Sequence, residues 1–152
     1  MIAVVRVRGT VNVRRDVEEA FRRLRLIKPN HCVVLPETDV YLGMVSKVKD
    51  WVAYGEIDLE TFKLLLKERG MVIGGKPLTD DTCRKIGFDD IDDLAEAIYS
   101  GQVSFNDLGI VKPVFRLHPP SKGYYKNVKR HYPEGSLGYW GKDIRKLIER
   151  MV

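Results

Sequence analysis

Residues 31–57 read HCVVLPETDVYLGMVSKVKDWVAYGEI, and the succession of patterns in them sets the fold class. HCVVL is a short β-branched run closed by Pro36, the signature of a strand. Thr38 or Asp39 then opens a helix whose apolar positions Tyr41, Met44, Val45 and Val48 recur at helical spacing. WVAYGEI returns to a strand. Working back, IAVVRVRG at 2–9 is a strand ended by Gly9, and Asn12 is placed to cap a helix from about Val13 to Arg25. Val17, Phe21 and Leu24 stripe that helix, while Glu18–Arg22 and Glu19–Arg23 have the spacing of i,i+4 ion pairs. The first 57 residues therefore run β-α-β-α-β, and right-handed crossovers set both helices on one sheet face. On the first strand Ala3, Val5 and Val7 share one face, and Val4, Arg6 and Arg8 the other. The two arginines are expected opposite the helices, on a face covered by the rest of the chain or by a partner.

Outward from this unit, residues 58–117 read mostly as helix. Asp58 caps LETFKLLLKER, with Leu59, Phe62 and Leu66 inward and Gly70 as its stop. Thr79 starts a short helix ending at Gly87. FDDIDDLAEAIYSG is another, with Ile91, Leu94 and Ile98 on its stripe, and KPVFRL is a short strand. Lys142–Met151 is a last helix whose Ile144, Leu147, Ile148 and Met151 are spaced to dock on the core. An α+β fold follows, in three segments: 1–57, a helical extension at 58–117, and an extended basic arm with an anchoring helix at 118–152.

A chain of 152 residues fits one domain or a compact core with a subdomain. Cys32 and Cys83 form no CxxC pair, and MIAVVRVRG shows no charged n-region or cleavage site. No stretch approaches the ~20 apolar residues of a membrane span. A cytoplasmic protein with reduced, buried thiols is the expectation, with no membrane partner. GMVIGGKP at 70–77 nearly matches a phosphate loop, but Pro77 stands where a hydroxyl would hold magnesium, so a turn is expected. DDIDD at 89–93 reads as a helix cap rather than a metal cluster. His31, His118 and His131 lie far apart, and Cys32 points to the opposite strand face from His31 as core filler. Neither a metal nor a cofactor is expected.

Charge is distributed in blocks. Residues 1–55 carry ten Lys/Arg and six Asp/Glu, residues 56–110 six and twelve, and residues 111–152 ten and three. Two basic blocks around an acidic one suggest a polyanion-facing surface with the middle turned away. An ordinary solvated surface gives a weaker version of the same pattern. The last block holds HPPSKGYYKNVKRHYPEGSLGYWGK, residues 118–142, with four glycines, three prolines, five aromatics, five Lys/Arg and one acid. Cations neutralise phosphates, aromatic faces stack on splayed bases, and glycine lets the backbone approach a crowded helix. From this block Arg116, His118, Lys122, Tyr124, Tyr125, Lys126, Lys129, Arg130, His131 and Lys142 are candidate RNA contacts. An active-site lid can look similar, and the tyrosines can instead patch the core, Tyr139-Trp140 first. If the arm is RNA-embedded, 118–140 is expected to be mobile in the free protein. The loop RGTVNVRR, 8–15, also resembles the phosphate loop of acylphosphatases, though it lacks that family's second glycine and Phe-Arg ending. A phosphate enzyme of that kind is the distant alternative.

RVRGTVNV followed by LRLIKPNHCVVLPETDVYLGMVSKVKDWVAYGEI resembles the signature region of the family of large-subunit ribosomal protein thirty. The matching pattern is Leu24-x-Leu26, Lys28, Asn30-His31, the VVL strand, and a helix leading to an aromatic strand with Tyr54-Gly55. KERG at 67–70, FDDIDDLAEAIY, Pro113–Leu117 and the closing IRKLIERM have counterparts in the family's archaeal and eukaryotic branch; the chain resembles the archaeal type, related to the eukaryotic large-subunit protein seven. SKGYYKN, 121–127, departs from the family in being more aromatic. The resemblance implies a truncated ferredoxin-like core and a structural, non-catalytic constituent of the cytoplasmic large ribosomal subunit. Its partners would be large-subunit rRNA near 5S rRNA and neighbouring ribosomal proteins, with no small-molecule substrate. A free-standing RNA-binding module is the first alternative. By the same resemblance Arg14, Arg15, Lys28, Asn30 and His31 are candidate RNA contacts. Arg6 and Arg8 are added from sheet geometry, with pairing to the acidic middle block as their other reading.

Overall fold

The computed structural model describes residues 1–152. Strand β1 (Ile2–Arg6), helix α1 (Arg15–Leu24), β2 (His31–Leu35), α2 (Asp39–Val48) and β3 (Val52–Glu56) form the expected first unit. Helices α3 (Leu59–Arg69), α4 (Asp80–Ile86), α5 (Ile91–Tyr99) and α6 (Phe105–Leu108) follow, then β4 (Val114–Arg116), the two-residue β5 (Gly138–Tyr139), a 3-10 turn at Gly141–Asp143 and α7 (Ile144–Met151). The sheet order is β4-β2-β1-β3-β5, antiparallel throughout except between β3 and β5. β1 lies between β2 and β3 and runs against both, so only β2-α2-β3 is a parallel crossover. This is the α+β arrangement expected: a ferredoxin-like core with a helical C-terminal part.

Both sheet faces are covered by the chain's own helices. Ile2, Val4, Val33 and Val52 pack against Val17, Phe21, Leu24, Val45 and Val48 of α1 and α2. On the other face Ala3, Val5, Cys32 and Ala53 pack against Phe62, Leu66, Leu94, Ile98, Ile144 and Ile148. Alternation along β1 is as expected, but its sides are reversed: α1 and α2 cover the Val4 face, and Arg6 goes under them. Arg6 is 2% exposed, with its guanidinium carbon 3.8 Å from the Phe21 ring centroid. A period of two says which residues share a face, not which face the helices take.

Most helix starts follow from a side-chain oxygen that satisfies an otherwise free amide. Thr38, Asp58, Thr79 and Asp90 accept from the N–H groups of Tyr41, Thr61, Thr82 and Asp93. The exceptions are α7, which continues from the 3-10 turn, and α1, which begins two residues later than expected; Arg14 precedes it without a side-chain cap, and Asn12 sits in a left-handed turn at φ 60°. GMVIGGKP is a tight turn bridged by Met71 and Pro77, with Gly74 and Gly75 at positive φ. Cys32 is core, and burial pushes its thiol up to about 12. Gly55 of β3 lies directly under the 3-10 turn: a Cβ there would sit 2.1 Å from the Gly141 carbonyl oxygen.

Candidate nucleic-acid interface

Strand directions gather the basic residues. β1 and β4 end, and β2, β3 and β5 begin, at one end of the sheet, because register pairs Arg6 with Val52 and His31 with Arg116. Arg8, Lys28, Asn30, His31, Arg116 and His118 therefore meet there, although three separate chain segments supply them. The β1–α1 loop leaves from the same end and carries Arg14, and Arg15 opens α1 beside it, both exposed.

Asn30 is the junction of this end. Its N–H donates to the Arg6 carbonyl at 2.7 Å, its own carbonyl accepts from Leu117 at 3.1 Å, and its φ is 68°. The Tyr124 hydroxyl donates to Asn30 Oδ1, and burial pushes that phenol up to about 12, so it remains a donor. Burial, then Arg116, Lys28 and Arg6, hold His31 below the usual imidazole value; its Nδ1 is buried without a partner. A neutral imidazole among three cations is the response of a titratable group to desolvation and like charge acting together.

Residues 118–137 are laid across this end rather than extended from it. His118 and Ser121 donate backbone N–H groups to the Met151 and Arg150 carbonyls of α7, and Arg150 also holds the carbonyls of Ser121 and Gly123. Further on, His131 Nε2 lies 2.8 Å from Asp50 Oδ1, beside Arg8, which donates to the Asp50 carbonyl at 3.3 Å. Lys122, Lys126, Lys129 and Arg130 lie on and between these moorings, all exposed. Tyr125 and Tyr132 turn inward to Trp140, with the Tyr132 and Trp140 rings stacked at 4.4 Å. Trp140 is 6% exposed and its indole N–H donates to the Ser136 carbonyl at 2.9 Å. For Trp140 the core-patching alternative is the one the structure shows, with the half-buried Tyr125 packed against it, whereas Tyr139 is 53% exposed.

Lys142 lies apart from the rest. β5 carries the chain to the opposite end of the sheet, where Lys142 lines a hollow with Glu56, Asp58 and Arg145. Acids at the basic end are mostly engaged: Asp16 lies 3.7 Å from Arg14, Asp50 holds His131, and Glu134 reaches Arg130 at 3.9 Å. Glu18 has no ion-pair partner, and the i,i+4 bridge expected with Arg22 does not form, whereas Glu19–Arg23 closes at 2.7 Å. Nothing in the spacing of Glu18 and Arg22 distinguishes them from an ordinary solvated pair, so the sequence gives no reason to single them out.

A family profile described as ribosomal protein L30p/L7e matches residues 2–52. The Archaeoglobus fulgidus protein named large ribosomal subunit protein uL30 is 52% identical over 152 residues, 99% of each chain. The chain belongs to the L30p/L7e family. Family members of the same name from Methanoculleus marisnigri and Methanocorpusculum labreanum are 48% and 47% identical over 153 residues, again covering 99% of each chain. The likeness thus extends through the arm and α7, well beyond the profile-matched first unit.

Proposed function

We propose that this protein is a structural constituent of the large ribosomal subunit and that the basic end of its sheet holds ribosomal RNA. The observation that carries the proposal is the convergence of exposed cations from the β1–α1 loop, the α1–β2 loop and residues 116–130 on one end of the sheet. Arg14, Arg15, Lys28, Arg116, Lys122, Lys126, Lys129 and Arg130 neutralise phosphates there, and the neutral His31 donates or accepts hydrogen bonds. Asn30 and Tyr124 position the surface. At the far end Glu56 and Asp58 share a hollow with Lys142 and Arg145, so the charge there is balanced and gives a polyanion no comparable attraction. The groups bind and position RNA; no chemical step is assigned to them. Its partners are large-subunit rRNA in the neighbourhood of 5S rRNA, and adjacent ribosomal proteins.

Sedimentation of tagged protein through high-salt sucrose gradients tests the assignment. Protein recovered with large subunits supports it; protein remaining at the top of the gradient overturns it. Footprints on large-subunit and 5S rRNA, with and without the protein, test the 5S assignment separately.

A further inference from the structure

Under the helix face of β1 lies a cavity of about 300 Å³, open to solvent between the β1–α1 and α1–β2 loops. Val13, Phe21 and Ile27 give it apolar walls, and Arg6, Glu18 and Arg22 give it charge. Arg6 is almost fully buried yet only partly satisfied. Its Nε donates to the Arg8 carbonyl, and its Nη1 to the Leu26 and Ile27 carbonyls. Its Nη2 makes no hydrogen bond within the chain, and Arg6 lines the cavity. Glu18 and Arg22 are without hydrogen-bond or ion-pair partners as well, and Ile27 is 54% exposed at the rim.

A buried guanidinium edge calls for an acceptor, and the Glu18 carboxylate in the same cavity calls for donors; Arg22 leaves the lining net positive, but a phosphate would meet only the acceptor half of this set. An unpaired guanine satisfies both: O6 accepts, while N1–H and N2–H donate to a carboxylate. Apolar walls suit the faces of a splayed base. We propose that this cavity takes one extruded guanine of the bound RNA, with O6 on Arg6 Nη2 and the N1/N2 edge on Glu18. This inference rests on the RNA-binding reading above and adds a base-specific contact to it.

Kethoxal, which modifies the N1/N2 edge of unpaired guanines, tests the inference on full-length protein bound to Archaeoglobus fulgidus large-subunit rRNA. Glu18 is exposed, so Glu18→Ala leaves the fold intact, and Glu19→Ala on the same helix is the control. At least one guanine should be protected by the wild type and by Glu19→Ala and reactive with Glu18→Ala. Affinity should fall about tenfold with an unchanged salt slope, as expected when a base contact rather than a phosphate contact is removed. Guanine reactivities identical for wild type and Glu18→Ala overturn the guanine site while leaving the RNA reading in place. Absence of any binding by the wild type overturns both.

Discussion

The Tyr124 hydroxyl donates to Asn30 Oδ1 across 94 positions of chain, and the same asparagine bonds β1 and Leu117, the residue after β4, through its backbone. One residue thus ties the basic arm to the sheet end it crosses. Tyr124→Phe should cost about 1 kcal/mol by removing one part-buried hydrogen bond. Asn30→Ala should cost more, about 1–3 kcal/mol, because alanine also resists the left-handed backbone at φ 68°. Urea unfolding measures both; equal costs would mean that the backbone conformation contributes nothing.

Hydrogen exchange on the free protein should divide the arm. The amides of Tyr132, Gly135, Ser136, Leu137 and Trp140 donate to backbone carbonyls and should be protected. The amides of Lys126, Val128 and Arg130 have no backbone acceptor and should exchange freely until RNA is added. Uniform rapid exchange over 118–140, as composition alone suggests, would contradict the packing around Trp140. Replacing that indole by alanine should cost about 3–5 kcal/mol, since it removes a buried stacked ring and leaves the Ser136 carbonyl without its donor.

His31 links both stability and binding to pH. Burial and the neighbouring Arg116, Lys28 and Arg6 hold its folded value below the ordinary 6.5. Below that value the unfolded chain takes up a proton that the folded state refuses, so stability should fall as pH drops through about 6.5. Phosphate placed against the same cations favours the imidazolium, so RNA affinity should rise over the same window. His31→Gln should flatten both profiles, read by urea midpoints and filter binding. A variant that retains the wild-type slopes would assign the proton to another group.

Salt dependence separates the two ends of the sheet. Neutralising Lys126, Lys129 and Arg130 should flatten the slope of log affinity against log salt, by up to about one unit for each phosphate that no longer meets a cation. Lys142→Ala, at the charge-balanced far end, should leave it unchanged. A slope that responds to Lys142 and not to the other three would place the RNA on the wrong end of the molecule in our scheme.

The first three strands, the helix stripes and the caps at Thr38, Asp58, Thr79 and Asp90 were legible because each has a local cause within a few residues. β5 was not, for two residues carry no period, and their partner in β3 lies far back in the chain. α6 carries a readable signal, the Ser104–Asp107 capping box, within an otherwise unpatterned stretch. Candidate cations were legible as a charge block, but their assembly depends on sheet register. Tyr125 and Tyr132 show why composition misleads here: a ring that stacks on a base and one that packs against Trp140 have the same sequence signature. Arg6 was assigned to the wrong side for the same reason, since the partner that decides it, Phe21, lies on a different element.

The close approach of Gly55 to the Gly141 carbonyl has a consequence for biosynthesis. β4 and β5 are the two edges of the sheet, and both are translated long after the β-α-β-α-β unit they flank. A nascent chain that has completed only that unit presents bare strand edges on both sides, an invitation to pairing between chains. The bare patch at Gly55 then awaits the turn that closes over it, and the protein's vulnerability to aggregation ends only when its C-terminal segment leaves the exit tunnel.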